Sequence, residues 1–137
     1  MLTSLLPGRR RKRERIAATR AFVDAMNARN HADARPMMAR DFTFVDAGGT
    51  SVKGRDEVLA SDSAFRDANA NAQVRILTID AHDESVLVRG YLESRMAELA
   101  GETLWRVEFE DRKISSIHVT RAGYAVTLPK FAGLGPA

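Results

Sequence analysis

Between residues 74 and 121 the sequence is almost continuously strand-like, and its breaks are too short to hold a helix. Four runs rich in β-branched and aromatic residues, at 74–80, 85–96, 102–110 and 114–121, alternate apolar with polar side chains. The stretches AHDE, ELAG and EDRK separate them and carry turn chemistry. Strands joined by turns this short run antiparallel, so the second half predicts a meander. The first half reads differently. From Glu14 to about Arg29, Ile16, Thr19, Val23, Met26 and Asn27 form one helical stripe with Phe22 beside it. Residues 30–40, NHADARPMMAR, predict a second, shorter helical piece with Pro36 early in it. Residues 42–46 predict a strand, Gly48–Gly49 a hairpin turn, and residues 50–53 a short returning strand. A third helix follows at 56–67, with Asp56 and Glu57 in its first turn. Helices segregated from an antiparallel sheet define an α+β domain. Such a sheet curls around its helix layer, and the space between them closes as core or stays open as a pocket.

The 137 residues suit one domain, and 45% hydrophobic with 28% charged residues is the balance of a globular protein. A chain of this length buries roughly two-thirds of its unfolded surface, enough for a core without staples. The expected organisation is a basic N-terminal extension (1–13), one α+β domain (14–124) and a C-terminal tail (125–137) trailing over the surface. Cysteine is absent, which excludes disulfides, thiol nucleophiles and thiolate metal sites. The three histidines, His31, His82 and His118, lack the spacing of a helical zinc site. With no glycine-rich phosphate loop either, no metal and no cofactor is implied.

The net charge of +3 is unevenly distributed. Residues 8–15, GRRRKRER, hold six basic residues and one acidic one, so the remainder is slightly acidic. This run reads as a solvated, frayed start to the first helix. Nucleic-acid or membrane docking is not expected, because no aromatic residues interleave and the sequence shows no second basic patch. The order of apolar leucines before basic residues is the reverse of a secretory signal, and no apolar run is long enough to span a bilayer. A cytoplasmic protein is the expectation.

Three pieces of local text resemble the nuclear transport factor 2-like superfamily, which includes ketosteroid isomerase-like and SnoaL-like small cone domains. They are AFVDAMNARNHADARPMMARDFTFVD, GGTSVKGRDEV and LWRVEFEDRKISSIHVTRA. The resemblance covers roughly Glu14 to Tyr124. It implies a cone with a central pocket, and it specifies fold better than function. In ketosteroid isomerases a general-base aspartate ends the first strand, and by resemblance Asp46 stands there. Strand alternation puts Asp46 on one face with Phe42 and Phe44. The alternative is a turn aspartate accepting N–H groups from Gly48 or Gly49. The positions matching the isomerase tyrosine and carboxylic acid hold Phe22 and Trp105, so steroid isomerisation is not implied. The water-activating acid–arginine set of epoxide hydrolases and the His–Asp pair of a dehydratase are not evident either.

The candidate site that follows is catalytic Asp46 and Arg121 with an apolar wall of Phe22, Met26, Phe42, Phe44, Phe65, Trp105, Val107 and Val119. Arg121 shares a strand face with Ile117 and Val119. It is read as an inward cation for an anionic group, a partner of Asp46, or a strand-end residue in solvent. The expected ligand is a small apolar or carbonyl-bearing molecule. If the chain is an enzyme, Asp46 performs isomerase, cyclase or dehydratase-type proton transfer; the alternative is a non-catalytic binding or dimerisation module. Arg89, Tyr91, Arg106, Glu108, His118 and Thr120 fall on the opposite sheet face and suit a homodimer interface. His31 reads as a cap or surface residue.

Overall fold

The computed structural model describes residues 7–94 and 101–121. Helix α1 (Pro7–Asn27) leads to the one-turn α2 (His31–Ala34), a 3-10 turn (Arg35–Met37), and the hairpin β1 (Met38–Val45) and β2 (Ser51–Lys53). Helix α3 (Arg55–Ala68) precedes β3 (Gln73–His82), β4 (Ser85–Glu93), β5 (Glu102–Glu110) and β6 (Lys113–Arg121). One six-stranded sheet has the order β2-β1-β6-β5-β4-β3. It is open at β2 and β3, and the helices pack on its concave face. The architecture is α+β, a cone of helices wrapped by a curved, unclosed sheet.

Short turns make the meander. Two-residue loops, Asp83–Glu84 and Asp111–Arg112, join β3 to β4 and β5 to β6. Asp83 and Asp111 each adopt positive φ, 54° and 57°, which aspartate tolerates in such loops. The ELAG turn, the end of the 85–96 run and the tail after Tyr124 lie partly or wholly outside the described residues. β1 joins the meander by parallel pairing with β6, Phe44 level with Ile117 and Val45 with His118. That pairing puts the first hairpin beside the last strand.

Several boundaries differ from the sequence expectations. α1 begins at Pro7, so the basic run forms its first turns and is not a frayed lead-in. Arginine and lysine are good helix formers when their charges stay in water, and Pro7 suits a first helical position. The expected helical piece at 30–40 shortens to four residues. Pro36 permits one 3-10 turn, after which Met38 is extended (φ −104°, ψ 138°). β1 therefore starts at Met38 and ends at Val45, with an irregularity between Met38 and Thr43. Asp46 lies one residue past the strand.

The core lies between α1, α3 and the sheet. Phe22 and Met26 meet Phe42, whose ring lies 6.0 Å from that of Phe22, and Val58, Leu59, Val86, Val107 and Ile117 close it. Asn27 ties the end of α1 to the sheet. Its amide donates to the Val74 carbonyl at 2.9 Å and its Oδ1 accepts from the Val74 N–H at 2.9 Å. Arg35 and Asp56 pair at 2.9 Å, fastening the 3-10 turn to α3. The Arg35 hydrogen bond holds the Asp56 carboxyl below the usual carboxylate range.

Candidate ligand-binding cavity

β4 and β6 end where β3 and β5 begin, and β1 ends beside them. At this end of the cone the helix layer does not fill the sheet's concavity. A cavity of about 550 Å³ opens there, within the range of small-molecule sites. Phe22, Met26, Phe42, Phe44, Phe65, Trp105 and Val119 are all on its wall. Phe65 is 37% exposed. Val107 is not on the wall. It shares the inward face of β5 with Trp105 but pairs with Val86 and Ile117 deeper in the cone, where packing is complete and its exposure falls to 0%.

Asp46 and Arg121 bring charge to this wall. Asp46 is exposed, and its Oδ1 accepts the N–H groups of Gly48 (2.9 Å) and Thr50 (3.0 Å). Its own N–H donates to the Thr50 carbonyl at 2.9 Å. The carboxylate thus closes the β1–β2 turn through one oxygen, while Oδ2 has no hydrogen-bond partner among the described residues. The parallel register ends with Val45 opposite His118, so Asp46 follows the end of β1 beside the end of β6, whose last residue is Arg121. Arg121 is half-buried and makes no ion pair among the described residues, with Asp46 or any other acid.

The isomerase-like donors are absent in geometry as well as in sequence. Phe22 has no polar atom. The Trp105 indole N–H is committed to Thr103 Oγ1 at 3.1 Å, and that hydroxyl donates to the Gly90 carbonyl at 3.3 Å.

A polar cluster on α3 completes the wall, and the sequence reading missed it. Arg66, 4% exposed, donates from Nε to both Asp62 oxygens (3.1 and 3.0 Å). Its Nη1 donates to Asn27 Oδ1 (3.1 Å) and the Ala72 carbonyl (2.8 Å). His31 Nε2 lies 3.7 Å from Asp62 Oδ2 and has no hydrogen bond. A His–Asp pair therefore exists, but His31 stands behind Asp62 and does not line the cavity. The signal was present in the sequence: Arg66 lies seven residues after Leu59 and four after Asp62, a charge on the buried stripe of an amphipathic helix. Among the described residues, no group of three or more His, Asp or Glu is placed to hold a metal.

Arg89, Tyr91, Arg106, Glu108, His118 and Thr120 project from the convex face of the sheet, opposite the cavity. Arg75–Glu93 and Arg89–Glu102 pair there at 2.7 Å, and Arg106–Glu108 at 3.1 Å. Leu87 and Leu104 are 39% and 43% exposed on the same face. Among the described residues, no helix is long and apolar enough to cross a membrane.

An open α+β cone with an apolar cavity at its wide end is the architecture of the nuclear transport factor 2-like superfamily. Within it, the SnoaL-like domain family matches residues 19–117, and the chain belongs to that family. Solved structures agree on the fold. A candidate polyketide cyclase from Sinorhizobium meliloti is 16% identical, with a TM-score of 0.70 over 76% of this chain and 94% of that one. A candidate ketosteroid isomerase from Kribbella flavida is 16% identical, with a TM-score of 0.71 over 80% and 78%. A protein of ketosteroid isomerase-like fold from Catenulispora acidiphila, in complex with trimethylamine, is 20% identical, with a TM-score of 0.64 over 74% and 82%. At these identities the likeness concerns the fold alone. No curated protein matches the chain in sequence.

Proposed function

We propose that the chain binds a small apolar molecule bearing a carbonyl or hydroxyl group, and that Asp46 moves a proton on it. The observation that carries this reading is the cavity itself. Its interior is largely aromatic and aliphatic, and Asp46 Oδ2 and the Arg121 guanidinium are its charged groups without an ion pair among the described residues. An apolar body would fill the space against Phe22, Phe42 and Trp105. Arg121 would take the oxygen and any negative charge that develops on it. A carboxylate whose one oxygen is fixed by two backbone amides holds the other in a constant position, which a general base needs. Two structural neighbours are named as a candidate polyketide cyclase and a candidate ketosteroid isomerase; the likeness to them is one of fold, and the reaction class proposed here rests on the cavity.

The second reading is a non-catalytic binding or dimerisation module. The committed Trp105 N–H and the turn-closing role of Asp46 favour it. In both readings the convex sheet face suits a second copy of the chain. Leu87 and Leu104 are diagonal neighbours on adjacent strands, ringed by ion pairs.

A thermal-shift panel of cyclic ketones, polyketide-like aromatics, terpenoids and fatty acids tests both readings. A ligand at about 100 times its dissociation constant should stabilise the protein by about 2.7 kcal/mol. Trp105→Ala should abolish that shift. Asp46→Asn keeps an oxygen for the two turn amides, so it should fold and bind. It should also lose turnover by about 10²–10⁴-fold. Ligand binding with turnover unchanged in Asp46→Asn would leave the module reading in place.

A further inference from the structure

A second concavity lies at the opposite end of the sheet. It is a groove of about 950 Å³ between the start of α1 and the β5–β6 turn. The sequence showed one basic run and no second basic patch. Folding supplies the second patch. Arg10, Arg11 and Arg15 come from α1, Arg40 from β1, and Arg112 and Lys113 from the turn. Three acids, Glu14, Glu110 and Asp111, share the lining, so six cations outnumber them by three.

Two of the cations are engaged. Arg15 donates to the Glu84 carbonyl at 2.8 Å and pairs with its carboxylate at 3.0 Å, and Lys113 donates to the Pro36 carbonyl at 3.0 Å. Arg10, Arg11, Arg40 and Arg112 are exposed and make no ion pair among the described residues. No acid in the first turn of α1 offsets the positive end of its dipole.

We propose that this groove binds the phosphodiester backbone of a nucleic acid. Arginine suits phosphate, because its planar fork donates two hydrogen bonds to one anion. A two-walled groove with free cations on both walls fits a linear polyanion better than a flat one. A lipid surface would call for cations on a convex face with apolar anchors beside them, and among the described residues Ala39 is the one apolar residue in the lining. Among the described residues no aromatic side chain lines the groove, so they offer bases no stacking platform. Binding runs through phosphates and is tolerant of sequence. This site is separate from the cavity and stands whether or not the cavity is catalytic.

Fluorescence anisotropy with the full chain tests it, using a labelled mixed-sequence single strand, the corresponding duplex, and vesicles of phosphatidylglycerol and phosphatidylcholine in equal parts. Four free cations on a single strand predict a log–log salt slope of about −3, hence roughly 50-fold weaker binding between about 50 mM and about 200 mM salt. The exposed pair Arg40→Ala with Arg112→Ala, both outside the basic run, should lower that slope to about −1.5 without changing the melting temperature. Binding of either oligonucleotide with this loss of slope supports the groove and shows which form it takes. The proposal is overturned if neither oligonucleotide binds at low salt, if the double variant keeps the wild-type slope, or if the vesicles bind and the oligonucleotides do not.

Discussion

Arg66 is the residue on which three elements converge. Its side chain joins Asp62 on α3, Asn27 at the end of α1 and the Ala72 carbonyl before β3. A buried guanidinium is costly unless its donors are satisfied, and here the partners are placed to satisfy it. Removing it takes the Arg66 hydrogen bonds from the Asp62 carboxylate and the Ala72 carbonyl. Arg66→Met should therefore lower stability by about 3 kcal/mol, read from urea unfolding. A loss under about 1 kcal/mol would mean that water replaces the guanidinium freely. Asp46 teaches the complementary lesson. The sequence offered a turn aspartate and a site carboxylate as alternatives; the geometry shows the turn role, with one oxygen accepting the Gly48 and Thr50 amides, and puts the residue on the cavity wall. The text DAGG made the turn legible. Nothing local could show which oxygen stays free, because that depends on how the Thr50 amide returns across the hairpin.

Among the elements, the meander was the most legible part. β5 has the expected bounds, and β3, β4 and β6 differ from expectation by one to three residues at their ends. Their alternation survives folding because one face is buried and one is wet. β1 and the helix before it were the least legible. Met37 and Met38 fit a helical stripe as well as a strand, and Pro36 arbitrates only through the backbone it permits. Gly90 marks a constraint inside β4. A Cβ there would run into the Arg75 carbonyl oxygen of β3, beside the irregularity that leaves Leu77 out of register. Gly90→Ala should cost about 1–3 kcal/mol by forcing the two strands apart, seen as a lower melting temperature. An unchanged melting temperature would mean that the bulge absorbs the methyl group.

The whole molecule is defined by one pairing that no local pattern encodes. β1 inserts parallel to β6, and that brings Asp46 and Arg121 to the same end of adjacent strands, with the basic turn at the other end. The convex face is the remaining large surface, and dimerisation through it is the whole-molecule prediction. Wild-type protein should sediment as a dimer, and Leu87→Asp with Leu104→Asp as a folded monomer. A wild-type monomer at every concentration would remove the dimer. By itself the sequence determined the fold class, the order of elements and most of the apolar wall, because periodicity and turn chemistry are local and survive any docking. Tertiary structure alone decided three things. Val107 belongs to the core and not the wall, Arg66 became a buried hub, and the lone basic run gained Arg40 and Arg112 as neighbours. Each depends on which residues distant in sequence share one volume, and only the closing of the sheet on its helices settles that.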